Sequence, residues 1–150
     1  MNILMVKAFD NILVICVGNI CRSPMAEALL KAKAPQGVAI SSAGVGALVG
    51  LPADPMARLL MHGKSVDIGA HRARQVSIEL LAAADLVLAM EQRHINSIPA
   101  EMRGRAQLLG LWTGGEIEDP YRQSQEVFER VLGKIEAGVD AWATRLWQTA

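Results

Sequence analysis

The sequence predicts an α/β fold: a four-stranded parallel sheet with helices on both faces and a phosphate-binding loop after the first strand. Three observations carry this expectation. Short continuous runs of branched apolar residues alternate along the chain with stretches of helical periodicity, as strands buried on both faces and joined by helices require. A small polar residue followed by proline, a helix-start signal, recurs at Ser23-Pro24 and Asp54-Pro55. The chain has 150 residues, 51% of them hydrophobic and 20% charged, which suits one globular domain over 1–150 that needs no disulfide or metal staple.

The first strand is Asn11-Ile12-Leu13-Val14-Ile15, preceded by a short tail over 1–9. Ser23 is expected to cap the first helix, with Pro24 at its start, Glu27 in its first turn, and Met25, Leu29 and Ala32 on one face. Pro35-Gln36-Gly37 breaks that helix, and Val38 to Ser42 is the second strand. A glycine-rich loop runs to Ala53. Asp54 and Pro55 then open a helix to about His62 that Gly63 stops. Ser77 caps a helix through about Ala84. Asp85 to Met90 is the third strand, Glu91 to Ile98 a short helix closed by Pro99, and Ala106 to Leu109 the fourth strand. The last helix starts near Ser124, with Val127, Val131, Ile135, Val139, Trp142 and Leu146 along one side. In such sheets ligands bind at the carboxyl ends of the strands. That points to the loop after the first strand, to Ser42, to Met90-Glu91 and to the loop after the fourth strand.

Fifteen Lys and Arg balance fifteen Asp and Glu, which argues against a broad nucleic-acid or anionic-membrane surface. With only three Trp, two Phe and one Tyr, a base-stacking sheet is not expected. No apolar run reaches the ~18 residues of a membrane span. The stretch from Met1 to Phe9 lacks a basic leader and a cleavage site. Two cysteines are too few for a disulfide scaffold and fit a cytoplasmic location. There is no Gly-x4-Gly-Lys-Ser/Thr motif and no clustered metal-ligand pattern, so neither cofactor nor metal is expected. Gly44-x-Gly46-x-x-x-Gly50 misplaces the third glycine of a dinucleotide fingerprint.

The stretch from Cys16 to Ser23 concentrates the chemistry. A thiol ends a buried strand, and a helix opens a few residues later. Backbone N–H groups in a compact loop at a helix N-terminus cradle anions. Gly18 is expected to take a backbone conformation closed to other residues. Arg22 can hold two anion oxygens in a fork. The field that binds an anion also favours a thiolate, which would make Cys16 a nucleophile. Taken singly, Cys16 also reads as a small buried apolar residue, Arg22 as half of a surface ion pair and Asp119 as a turn residue before proline.

Cys16-Val17-Gly18-Asn19-Ile20-Cys21-Arg22-Ser23-Pro24, followed by Ala26-Glu27, resembles the signature loop of the low-molecular-weight protein tyrosine phosphatases. Ser41 to Gly44, His71 to Gln75 and Asp119-Pro120-Tyr121 resemble further landmarks in the expected order. Asp119 to Ser124 is similar to the bacterial branch associated with extracellular and capsular polysaccharide production. The resemblance implies that Cys16 is the nucleophile that takes the phosphoryl group. Arg22 and the amides of Val17, Gly18, Asn19, Ile20 and Cys21 would bind its oxygens. Asp119 would be the general acid and then the general base. Ser23 would donate a hydrogen bond to the thiolate. Asn19, Ser42 and His71 would form a buried network behind the loop, Leu48 and Tyr121 would wall the substrate ring, and Asp54 would sit near the rim. His62 and His94 are left as satisfied core or surface residues. Leu48 stands where eukaryotic relatives often have an aromatic residue, and Tyr121 is the one tyrosine in the chain.

The implied partner is a phosphotyrosine protein, a bacterial tyrosine kinase with a phosphorylated tail, with inorganic phosphate as product. Three alternatives stand beside it. A thiol-dependent arsenate reductase of related fold needs cysteines outside the loop, and none follows Cys21. Protein-arginine phosphatases typically carry threonine where this chain has Ile20. A non-catalytic phosphotyrosine-binding module has no use for Asp119. Cys16 and Cys21 are close enough in sequence to form a disulfide under peroxide if the loop curls; the bland reading of Cys21 is a packing residue.

Overall fold

The computed structural model describes residues 9–147. Most of the expected N-terminal tail therefore lies outside the described residues. Four strands, β1 (Asn11–Cys16), β2 (Ala39–Gly44), β3 (Leu86–Ala89) and β4 (Ala106–Leu108), pair in parallel in the order β2-β1-β3-β4. The helices are α1 (Arg22–Lys33), α2 (Pro55–His62), α3 (Ile78–Ala83), α4 (Gln92–Asn96) and α5 (Gln125–Trp147). A 3-10 segment, Ala100–Arg105, precedes β4.

Alternation along β1 divides the core. Ile12, Val14 and Cys16 face a layer built from Met25 and Leu30 of α1, Ala57 and Met61 of α2, and Phe128, Val131, Ile135 and Val139 of α5. Leu13 and Ile15 face Leu81 of α3, Ile95 of α4 and Ile98. Both faces are thus covered, as expected. Each fully buried branched side chain contributes roughly 1.5–3 kcal/mol of transfer free energy. β1 is central, and the chain goes to one side of it for β2 and to the other for β3. The carboxyl end of β1 is therefore the point where strand order reverses, and the crevice of a parallel sheet forms there.

Several local expectations need correction. Ser23 does not cap α1. The helix starts at Arg22, the residue before it is Cys21, and no side chain caps it; the Ser23 hydroxyl is engaged elsewhere. The first turn of α1 holds no acid. Glu27 lies farther along, where its carboxylate meets Ser42 and Lys31. Gly63 closes α2 with φ −62°, and the left-handed residue of that turn is Ser65. Asp54 and Ser77 do cap α2 and α3, accepting from the N–H groups of Met56 and Leu80. On α5, Phe128 and Leu132 join the expected buried stripe, while Val127 and Leu146 are partly buried at its edge.

Candidate active site

The loop between β1 and α1 closes tightly because a neighbour makes room for it. Cys16 pairs in register with Gly44 of β2. A β-carbon on Gly44 would stand 2.2 Å from the Val17 carbonyl oxygen, so only glycine fits. The left-handed position of the loop is Asn19, with φ 61°, whereas Gly18 has no positive φ. The conformational freedom expected of Gly18 is not used; Asn19 takes that conformation instead.

Its hydrogen bonds hold Asn19 there. Asn19 is fully buried. Its Oδ1 accepts from the Arg74 N–H at 2.9 Å, which fixes the amide orientation. Its Nδ2 donates to Ser23 Oγ at 2.7 Å and to Ser42 Oγ at 3.0 Å. Its carbonyl oxygen lies 2.6 Å from His71 Nε2, which must carry the proton because a carbonyl only accepts. The Ser42 hydroxyl in turn donates to Glu27 Oε1 at 2.5 Å. The Ser23 hydroxyl, having accepted from Asn19, has its proton free for the Cys16 sulfur, 2.9 Å away. Asn19→Ala would remove three side-chain hydrogen bonds, to Arg74, Ser23 and Ser42, and a residue type tolerant of positive φ. It is expected to cost about 3 kcal/mol of stability, read as a lowered midpoint of urea unfolding.

Among the described residues, the N–H groups of Val17 through Ser23 engage no protein acceptor. At a helix N-terminus without a competing acid, these donors make an anion cradle. Arg22 is 1% exposed. Its Nη1 donates to Glu91 Oε2 at 2.5 Å and to the Ile117 carbonyl at 2.8 Å, and its Nη2 lies 3.7 Å from Asp119 Oδ2. Glu91 tethers one end of the guanidinium while the other faces the acid. Partial burial pushes the Glu91 carboxyl up, but hydrogen bonds from Arg22 and Arg93 prevail and hold it below the usual range. Asp119 is 38% exposed, and its Oδ1 accepts from the Tyr121 N–H at 3.0 Å.

These groups enclose a cavity of about 160 Å³ lined by Cys16, Val17, Gly18, Ile20, Cys21, Arg22, Gly46, Leu48, Asp119 and Tyr121. A larger hollow of about 630 Å³ lies at the amino ends of β3 and β4, near Ala84, Leu86 and Trp142, and contains none of these groups. Burial, with the negative charges of Asp54 and Asp119, pushes the Cys21 thiol far above its ordinary value, so Cys21 stays protonated. The arrangement therefore offers one sulfur at the floor, a ring of donors, a fixed guanidinium, apolar walls and a carboxyl group at the mouth.

The family model for low molecular weight phosphotyrosine protein phosphatase matches residues 11–150. The chain belongs to the low molecular weight phosphotyrosine protein phosphatase family. It is thus a protein-tyrosine-phosphatase by class, a hydrolase of phosphoric monoesters. It is 46% identical over 142 residues to the low molecular weight protein-tyrosine-phosphatase Wzb of Salmonella typhimurium, covering 92% of this chain and 95% of that protein. Among solved structures it is similar to Vibrio vulnificus Wzb in complex with benzylphosphonate, with a TM-score of 0.89 and 40% identity over 93% of this chain and 100% of that one. It is also similar to the YwlE arginine phosphatase from Geobacillus stearothermophilus, with a TM-score of 0.85 and 34% identity over 91% of this chain and 92% of that one.

Of the residues expected at the site, Cys16, Val17, Gly18, Ile20, Cys21, Arg22, Leu48, Asp119 and Tyr121 line the same small cavity. Asn19, Ser42 and His71 stand behind it. Asp54 does not line the cavity; it caps α2, and its N–H holds the Ile20 carbonyl. Glu91 and Glu27 received no site role from the sequence. For Glu91 the signal was its place just beyond a strand's carboxyl end. His94 is not the satisfied residue expected. It is 1% exposed, and neither ring nitrogen has a hydrogen-bond partner. Burial, aided by the Arg22 charge, pushes it down from 6.5 to about 4. A folded-state value below the unfolded one gives stability that is complete above pH 6.5 and is lost as pH falls toward 4. Among the described residues no cluster of His, Cys, Asp or Glu able to hold a metal occurs, and no helix is long and apolar enough to cross a membrane.

Proposed function

We propose that this phosphatase hydrolyses phosphotyrosine through a phosphocysteine formed on Cys16. The observation that carries the reading is the convergence of Cys16, Arg22 and Asp119 on one small cavity. In the first step the Cys16 thiolate attacks phosphorus in line, the P–O bond breaks, and Asp119 gives its proton to the departing phenolate. Arg22 and the loop amides take the charge on the three equatorial oxygens. Ser23 donates to the thiolate when it leaves in the second step. There, Asp119 removes a proton from water, which attacks phosphorus and breaks the S–P bond. Phosphate and the free thiolate result.

Ile20, Leu48 and Tyr121 favour a planar aromatic ester, because their apolar surfaces suit a phenyl ring better than a charged guanidinium. A panel of phosphotyrosine, phosphoserine and phosphoarginine peptides tests this. Phosphotyrosine is expected to be cleaved fastest; faster release from phosphoarginine would transfer the chain to the arginine-phosphatase reading. The physiological substrate proposed is a bacterial tyrosine kinase with a phosphorylated tail, tied to exopolysaccharide or capsule production. It rests on the likeness of Asp119 to Ser124 to the polysaccharide-associated branch. A cytoplasmic setting is proposed with it, since both cysteines are free and the mechanism needs Cys16 reduced.

Peroxide would oxidise the Cys16 thiolate to a sulfenic acid with release of hydroxide. Cys21 would then attack that sulfur, its proton leaving with the displaced hydroxide as water, to give a disulfide. Reversible inactivation with a linked 16–21 peptide in mass mapping is the expected result. Equal recovery of Cys21→Ser and wild type after thiol treatment would leave Cys21 as a packing residue.

A further inference from the structure

The imidazole of His94 is the buried titratable group that the proposed chemistry leaves unused. It sits on α4, three residues after Glu91, with Nε2 3.5 Å from Glu91 Oε2. That is the same oxygen that receives Arg22 Nη1. Arginine and histidine therefore approach one carboxylate oxygen from two elements. Neither ring nitrogen has another partner, and native cores rarely leave such groups unpaired without a reason.

We infer that His94 is a positioning residue for Arg22, acting through Glu91, and that it holds the arginine in place only while it is neutral. The inference rests on the proposed role of Arg22 as the phosphoryl ligand. A neutral imidazole facing Glu91 leaves Oε2 to the guanidinium. A protonated one is a second cation that competes for that oxygen and repels Arg22. The clamp then loosens at the residue that must match the transition-state oxygens.

The charged groups around His94 agree with this direction. Arg22 from α1 and Arg93 from α4 disfavour its protonation; Glu91 and Asp119 favour it. β3 and β4 carry no titratable side chain. The neighbouring 3-10 segment carries Glu101, Arg103 and Arg105. Of these, Arg103 bonds to the carbonyls of Asn96 and Ile98, and Arg105 to those of Leu81, Ala82 and Ala84. Because the neutral imidazole leaves Arg22 tethered and ready for an anion, reciprocity requires that anion binding favour the neutral form of His94.

Two measurements on the whole protein test this. NMR titration of the His94 ring in the wild type, with and without saturating sulfate, reads the coupling without turnover. Sulfate is chosen because it keeps its charge across the range. A fall in the His94 midpoint with sulfate supports the inference; an unchanged or raised midpoint overturns it. The second compares kcat against pH for wild type and His94→Gln with p-nitrophenyl phosphate. The expected variant loses roughly fivefold in kcat near pH 6, keeps its KM, and declines less steeply than wild type toward pH 4. A loss of the same factor at every pH would mark His94 as a packing residue. Failure of these tests leaves wild-type turnover intact, whereas failure of the phosphatase reading removes it.

Discussion

Cys16→Ser is expected to lower turnover of aryl phosphates by about four orders of magnitude or more, with the fold and anion binding retained. A serine hydroxyl is not ionised at neutral pH, and an alkoxide is a far poorer leaving group than a thiolate in the second step. Everything that binds the phosphoryl group stays. The loop N–H groups, the tethered Arg22 and the network through Asn19 do not depend on the sulfur. Serine keeps a polar atom beside the Ser23 hydroxyl, so the loop has no cause to rearrange. Inorganic phosphate should therefore bind the variant with an affinity within a fewfold of the wild type. Cys21→Ser should be much milder, since its thiol stays protonated in its buried setting. A reversed order of the two effects would move the nucleophile to Cys21.

The second large effect belongs to Asp119→Asn. An amide neither gives a proton to a phenolate nor takes one from water. For esters of weakly acidic phenols the rate should fall by roughly 10²–10⁴-fold, the usual worth of a positioned acid. For activated esters, whose phenolates leave unaided, the first step should suffer much less. A plot of log kcat/KM against leaving-group pKa is therefore expected to steepen in the variant. Uniform loss across the series would instead assign Asp119 to the turn it makes with Tyr121.

The strands and the long helix were legible because their signals are local. The apolar run from Asn11 to Ile15 and the stripe from Val127 to Trp142 show their periods within a single window. The strand order, with β1 between β2 and β3, has no such local signature. The 3-10 segment over 100–105 was missed because no residue in it is buried and it shows no apolar period. Ser23 shows how a local rule yields to tertiary contacts. It has the composition of a cap, yet the nearby sulfur and the Asn19 amide engage its hydroxyl. Gly18 was singled out for a freedom that Asn19 exercises, because a buried asparagine with three side-chain bonds can stabilise positive φ as well as glycine.

Cys16, Arg22 and the helix start made the anion loop readable from residue types alone. The strand-end rule pointed to Ser42 without giving it a role, and Asp119, His71, Leu48 and Tyr121 came from the family resemblance, since nothing in their own surroundings separates them from turn, core or surface residues. Glu91 lies 69 residues from Arg22 in sequence, and only the pairing of β3 with β1 brings the two together. The His94 side chain shares that origin. Its isolation from hydrogen-bond partners is a property of packing, which sequence spacing does not encode.

The covalent step is most directly tested by rapid acid quench of the wild type with a phosphorus-labelled aryl phosphate, followed by peptide mapping. The expected result is stoichiometric label on the peptide containing Cys16, formed faster than steady-state turnover and absent from Cys16→Ser. Label on another residue, or full turnover with no labelled protein at any quench time, would contradict a phosphocysteine at Cys16.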